Sequence, residues 1–123
     1  MFINTTPHDI HIYKDDKIIY TFKKSTEYEC RLDIEEQREL DSIKIDDVII
    51  PLFSSQKYIA LSFLKNKEDV DFDDKYKYIV SIVVKDYINN NFPSLTKNFY
   101  VVDSNKGAVR KNGQIIGTTR LLR

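Results

Sequence analysis

Residues 78–93 have the sequence YIVSIVVKDYINNNFP, and this stretch decides where strand gives way to helix. Residues 78–80 form a short apolar run typical of a strand, and Ser81 is a favoured N-cap residue for a helix predicted to continue to Ile88. The three asparagines at 89–91 and Pro93 are predicted to end that helix. Its β-branched residues lower helix propensity, so packing must stabilise it. We expect an apolar face, against the sheet or a twin helix, made of Ile82, Val83, Val84 and Tyr87.

On both sides of this stretch, short apolar or alternating runs separated by turn residues predict strands. Residues 9–13 and 18–22 flank the polar turn Lys14-Asp15-Asp16-Lys17 and predict a β-hairpin. Asn112-Gly113 is the strongest hairpin signal, joining residues 108–110 to 114–119. Further strands are predicted at 28–32, 42–45, 48–53, 58–63 and 99–102, with Pro51 marking an edge position.

Two charged stretches interrupt the strands. Residues 33–41 suit either a helical turn or a loop, and residues 65–75 are predicted to form a surface loop. No repeat or linker divides the chain. We therefore expect one domain over residues 1–123, of the α+β class. It should be mainly antiparallel β-sheet with one or two short helices.

The composition is typical of a folded domain that binds no membrane. Of the 123 residues, 41% are hydrophobic and 31% are charged, and eight Tyr and seven Phe argue against disorder. No apolar run reaches the length of a membrane span, and no segment resembles an export signal. The single Cys30 cannot form an internal disulfide. These features predict a cytoplasmic location.

The net charge is zero, but the charge is unevenly distributed. Residues 27–47 carry nine acids and three bases, whereas residues 97–123 carry six bases and only Asp103 as an acid. A protein that coats bulk nucleic acid is usually basic overall, so we expect none to bind. The basic segment suits a small anion or the acidic patch of a second copy. The alternative is that both patches are simply solvated surface.

Nothing in the sequence indicates catalysis or a metal. The two histidines, His8 and His11, lie three apart near a predicted strand and so face opposite sides, which makes a structural role the better interpretation. Cys30 lies among Glu27, Glu29 and Asp33, which should raise its pKa and keep it unreactive. Phosphate-loop and nucleophile-elbow motifs are absent. We expect a protein that is not an enzyme and has no cofactor.

Four ordered segments resemble the first type of Thoeris anti-defence proteins, which are phage proteins that sequester an immune signal. They are Ile3-Asn4-Thr5-Thr6-Pro7-His8-Asp9-Ile10, Tyr78-Ile79-Val80-Ser81, Val109-Arg110 with Gly113, and Ile115-Ile116-Gly117 leading to Arg120-Leu121. The sequence departs from the family pattern at Thr5, where Leu is usual. It departs again at positions 89–91, where an Arg-x-Asp is expected.

The resemblance implies a homodimer or larger homo-oligomer that binds a cyclic ADP-ribose isomer and does not cleave it. Such signals are made by bacterial TIR-domain proteins, and holding them blocks activation of the Thoeris effector. Some family members also hold cyclic oligonucleotides at a second site. The expected location is then the cytoplasm of the infected bacterial host. The helix starting at Ser81 is our candidate for the dimer seam.

A glycocyclic ADP-ribose offers a diphosphate, an adenine and ribose hydroxyls. Arg110, on a family segment, and then Arg31 are the predicted diphosphate ligands. Tyr78, Phe92 and Phe99 are candidates for an adenine platform, although Phe99 equally suits the core. Asn91 could bind ribose or only help to end the helix. Arg120 and Arg123 could form a second anion site, whereas Asn4, Thr6 and His8 better suit bracing of the first strand.

Three other functions remain open from the sequence. A nucleotide-hydrolysing enzyme with a similar pocket would require a metal or a general base. A virion or host-protein interaction module would use a sheet edge and the acidic patch without any small-molecule ligand. An RNA-binding role for the basic segment predicts strongly salt-dependent affinity, and the neutral overall charge makes it the weakest alternative.

Overall fold

The computed structural model describes all 123 residues and divides into two compact units. One unit comprises Met1–Arg31 and Ser62–Arg123, and the other comprises Leu32–Leu61. The fold is α+β, as predicted, with thirteen strands, one α-helix and one 3₁₀ helix. No helix is long and apolar enough to cross a membrane.

The first sheet of the larger unit contains the strands on either side of helix α1 (Ile82–Asn91). Its order is β1 (Phe2–Asn4), β9 (Lys77–Ile79), β10 (Phe99–Val102) and β13 (Leu121–Leu122). β9 pairs in parallel with both neighbours, because helix α1 (Ile82–Asn91) carries the chain over from β9 to β10. Ile79, Ile88 and Phe99 are fully buried where this helix packs on the sheet.

The second sheet contains both predicted hairpins of the larger unit. Its order is β11 (Ala108–Lys111), β12 (Gln114–Thr118), β2 (Ile10–Lys14) and β3 (Lys17–Phe22). Asp15 and Asp16 turn the β2–β3 hairpin, and Asn112 and Gly113 turn the other, all with positive φ. Such a φ is what two-residue hairpin turns require, so the turn chemistry of the sequence predicted both hairpins correctly.

Strands β4 (Tyr28–Ile34), β7 (Tyr58–Lys65) and β8 (Glu68–Asp69) form a third sheet in that order. The smaller unit contains the antiparallel hairpin of β5 (Glu39–Ile45) and β6 (Val48–Phe53), turned at Asp46 and Asp47. Residues 33–41 are therefore neither one loop nor a helical turn, because two strands enter the stretch. The predicted loop at 65–75 includes β8, and its Phe72 stacks on Phe99 at 5.7 Å between ring centroids.

Helix α1 begins where expected but ends later and faces differently. The Ser81 hydroxyl accepts a hydrogen bond from the Val84 N–H at 3.4 Å, as an N-cap does. The asparagines at 89–91 lie inside the helix, which ends at Phe92 before the 3₁₀ helix Pro93–Asn98. The buried residues are Val84, Lys85 and Ile88, whereas Ile82 and Val83 of the predicted apolar face are exposed.

Lys85 explains why the predicted helix face was wrong. Its Nζ donates to the carbonyls of Thr96 (2.8 Å) and Phe99 (2.9 Å), which lets a charged side chain take a core position and tie the helix to the segment that follows. Burial lowers the pKa of Lys85, and the nearby Arg123 lowers it further. A pattern of hydrophobicity alone does not predict such a residue on the inner face.

Candidate functional site

A groove of about 420 Å³ lies in the larger unit, where the start of α1 meets both of its four-stranded sheets. This volume falls within the range of small-molecule sites. Four segments line it: the N-terminal loop and β2, the entry to α1, β10 with Ser104, and β12. The lining residues are Thr6, His8, Asp9, Ile10, His11, Val80, Ser81, Ile82, Val101, Val102, Ser104, Ile115, Ile116 and Gly117.

The N-terminal wall of the groove is held by Asn4, which is almost completely buried. Its Nδ2 donates to the carbonyls of His8 (2.8 Å) and Phe22 (2.9 Å). Its Oδ1 accepts from the Thr6 N–H (3.0 Å) and the Thr6 hydroxyl (2.6 Å). One amide therefore fixes the whole loop, which confirms the predicted bracing role of Asn4 and Thr6.

The β12 wall depends on Gly117. A Cβ built at this position would lie 2.6 Å from the His11 carbonyl oxygen and 2.5 Å from a Tyr13 ring carbon. Only a residue without a side chain therefore lets β12 approach β2 this closely.

The entry to α1 gives the groove its electrostatic character. Ser81 and Ile82 both line the groove, and Ser81 already satisfies the N–H of Val84. The amides of Ile82 and Val83 belong to the first turn and have no partner within the helix. With the positive end of the helix dipole, they favour an anion at this edge of the groove.

Charged side chains contribute little to the groove within one chain. The lining includes one carboxylate, Asp9, and two histidines, but no Lys or Arg. The pKa of Asp9 is lowered chiefly by the hydrogen bond from the Lys24 N–H. His11 is partly engaged, since its Nδ1 lies 2.9 Å from the Thr21 hydroxyl. A diphosphate here would need a cation from the rim or from a second copy.

Arg110 is not one of the lining residues and lies on the neighbouring strand β11. It lies opposite Ile115 in the β11–β12 register, and residues directly opposite in an antiparallel pair share a face of the sheet. Ile115 does line the groove, so the strand that carries Arg110 is next to the groove wall. The side chain is exposed, and its Nη1 donates to the Gly113 carbonyl at 3.3 Å.

The predicted adenine platform is split by the structure. Tyr78 and Phe99 stack on each other at 5.3 Å between ring centroids and are buried, so Phe99 takes the core position that the sequence left open. Phe92 is exposed, and the Asn91 amide donates to the Tyr87 carbonyl at 3.0 Å. Both lie at the far end of α1 from the groove, about 14 Å along the helix axis.

The other predicted arginines do not join the groove. Arg31 is an exposed residue of β4. Arg120 forms a 2.6 Å ion pair with the buried Asp103, whose pKa is lowered chiefly by this hydrogen bond. Arg120 is exposed, but its charge is already paired with Asp103, which counts against the predicted second anion site with Arg123.

Two further cavities were not predicted from the sequence. One, of about 250 Å³, is lined by Tyr28, Tyr76 and Tyr78 among others, with Lys75 Nζ 5.1 Å from the centre of the Tyr76 ring. The other, of about 480 Å³, has Asp71, Asp73 and Asp74 in its wall. The first is smaller than typical ligand sites, and the carboxylates of the second would repel a phosphate.

The Cys30 thiol has the raised pKa that the sequence predicted, but mainly for another reason. Burial raises the pKa to about 12, and the charge of Glu29 makes only a smaller contribution. The thiolate that a nucleophile requires is therefore not formed near neutral pH.

Sequence reasoning missed the groove because its walls come from residues that look like ordinary strand and loop positions. The sequence predicts Ile82 on a packing face of the helix, Ile115 in a hairpin strand and the histidines in structural roles. The recognisable signal was the ordered set of segments, since three of the four supply lining residues: Thr6 to Ile10, Val80-Ser81 and Ile115 to Gly117. Comparisons with protein-family models, with curated proteins and with solved structures found no match for this chain.

Proposed function

We propose that this protein binds a glycocyclic ADP-ribose signal in the groove and holds it without cleaving it. Such a protein would act as a phage-encoded sponge that keeps a Thoeris effector inactive in the infected cell. The supporting observation is that three of the four segments resembling the first type of Thoeris anti-defence proteins meet in one groove. These segments are far apart in the sequence, so their meeting is not a consequence of local structure.

The chemistry of the groove supports an anionic, partly apolar ligand. The first turn of α1 offers backbone N–H donors to a phosphate. Ile82, Ile115 and Val101 offer apolar surface to a base or ribose face. Arg110, opposite the lining residue Ile115, is the proposed charge-assisted contact.

A sponge that competes with an effector needs nanomolar affinity, about −12 kcal/mol. A helix N-terminus contributes about 0.3–1 kcal/mol and one hydrogen bond to a charged group about 1.5–3 kcal/mol, so these contacts are insufficient by themselves. Near-complete burial of the ligand must supply the remainder. We therefore propose that the protein acts as a homo-oligomer, in which a second copy covers the groove.

The test is to mix the purified protein with a glycocyclic ADP-ribose, remove free ligand, denature the protein by heat and analyse the supernatant by mass spectrometry. Recovery of the intact molecule in stoichiometric amount is expected. A changed product would indicate an enzyme instead. Recovery of no nucleotide would contradict the proposal and favour an interaction module.

Two pairs of variants locate the site. Ile82→Glu places a carboxylate on an exposed lining residue and should weaken binding at least tenfold, whereas Val83→Glu, exposed but outside the lining, should have much less effect. Arg110→Ala should also weaken binding at least tenfold, with Lys17→Ala in the other hairpin as the charge-matched control. If calorimetry shows that both variants of each pair weaken ligand binding equally, the groove is not the binding site.

A further inference from the structure

The hairpin of the smaller unit has one face made only of aliphatic side chains. Cross-strand pairs Ile43–Ile50 and Ile45–Val48 lie on this face, and the pair Leu40–Leu52 extends it past an irregularity between Leu40 and Ile43. Five of these six side chains are between 38% and 59% exposed: Leu40, Ile43, Ile45, Val48 and Ile50. We refer to the hairpin Glu39–Phe53 as the arm.

The aliphatic face of the arm requires a partner surface that buries it. A two-stranded hairpin is marginally stable in water unless a hydrophobic face packs on something else. A continuous aliphatic patch is also uncommon on monomer surfaces and usually marks an interaction site. Both strands of the arm have an outer edge, since the two-stranded sheet contains only β5 and β6. Their backbone groups can therefore pair with another strand.

Charge complementarity indicates which molecule packs on the aliphatic face of the arm. Residues 32–61 carry seven acids and three bases, a local charge of −4, whereas residues 97–123 carry +5. Within residues 97–123, β11 is an edge strand, and it carries the exposed Arg110 and Lys111. The chain therefore contains an acidic arm with open edges and a basic open edge at β11, and such opposite charges favour contact between copies of one chain.

We infer that the arm docks on a second copy of this chain, with its β5 adding to the β11 edge of that copy. When the aliphatic face of the arm lies on the side of Arg110 and the half-exposed Ile115, Glu39 lies on the side of Lys111. Each copy has both edges, so copies of the chain can associate through this contact. This inference does not depend on the proposed ligand.

Adjacent isoleucines of the arm give a matched test. Ile50 belongs to the aliphatic face, whereas Ile49 pairs with Lys44 on the opposite face and is more exposed. We expect the full-length protein to sediment as a dimer or larger assembly. Ile50→Ser should raise the dissociation constant of the assembly at least tenfold, and Ile49→Ser should leave it nearly unchanged. A protein that stays monomeric at high micromolar concentration, or equal effects of the two variants, would overturn the inference.

A charge exchange tests the docking partner without touching the apolar face. Glu39→Lys and Lys111→Glu should each weaken assembly several-fold, because each places like charges side by side. The double variant should restore assembly, since it re-forms the pair with the charges exchanged. Circular dichroism would check that each variant is folded. Absence of rescue in a folded double variant would exclude β11 as the partner of the arm.

Discussion

The two units of this protein use isoleucine in opposite ways. In the larger unit, Ile79 and Ile88 are fully buried between a helix and a sheet, whereas in the smaller unit Ile43, Ile45 and Ile49 are largely exposed on a two-stranded hairpin. The smaller unit has 14 hydrophobic residues among 30 and the larger has 37 among 93, so the exposure in the smaller unit is not due to a less apolar composition. It depends on whether another layer covers the strand.

The residues that stabilise the fold and the apolar residues that are available for binding therefore lie in different units. In the larger unit, a buried core and bracing hydrogen bonds fix the walls of the groove. In the smaller unit, similar apolar residues contribute little to the stability of one chain and remain available to a partner.

The largest expected effect comes from Ile79→Ala, compared with Ile49→Ala. Ile79 has no exposed surface, so its truncation should lower the free energy of unfolding by about 2–5 kcal/mol. Ile49 is 68% exposed, and its truncation should change stability by less than about 0.5 kcal/mol. Urea unfolding measures both. Similar losses of unfolding free energy in the two variants would contradict this difference, since they would mean that the arm is also buried within a single chain.

The bracing of the groove is tested with Asn4→Ala. Asn4 is buried and makes three hydrogen bonds to the loop and one to the Phe22 carbonyl of β3, so the variant should lose roughly 1–3 kcal/mol and loosen the groove wall. Asn91→Ala removes one exposed hydrogen bond and is the matched control, expected to change stability far less. Hydrogen exchange should become faster at residues 5–9 in the first variant only. Unchanged exchange there would contradict the bracing role.

Close packing between β12 and β2 is tested with Gly117→Ala. The added methyl group would meet backbone and ring atoms, and overpacking of this kind costs about 1–3 kcal/mol. The control is Gly113→Asn, because Asn tolerates the positive φ of this turn and no atom lies within 4 Å of the built Cβ. Thermal unfolding should separate the two variants. A fully stable Gly117→Ala protein would show that β12 can move away from β2.

The smallest effect is the pH dependence due to Asp103. The hydrogen bond from Arg120 lowers its pKa in the folded state, so the carboxylate stabilises the protein above its unfolded pKa, and this contribution is lost as the pH falls through the folded value. The difference in unfolding free energy between wild type and Asp103→Asn should therefore shrink in acid. A difference that stays constant from neutral pH to acid would show that the ion pair contributes nothing.

Much of the fold follows from short-range signals. The turns at Asp15-Asp16, Asp46-Asp47 and Asn112-Gly113 adopt the positive φ that their chemistry favours, and each joins the two strands predicted around it. Ser81 starts the helix as expected. Errors occurred where a local rule met a tertiary contact. Asparagines that usually end a helix are accommodated in its last turn. Lys85 is buried because two backbone carbonyls accept hydrogen bonds from its ammonium group.

The sequence by itself determined the α+β class, the positions of the hairpins and the start of the helix, because turns and caps depend on a few adjacent residues. The tertiary structure alone decided which apolar residues became core and that Arg120 pairs with Asp103. It also decided that the N-terminal loop, the start of α1 and β12 share one groove. Those outcomes depend on contacts between residues that are distant in the chain, and no local pattern encodes them.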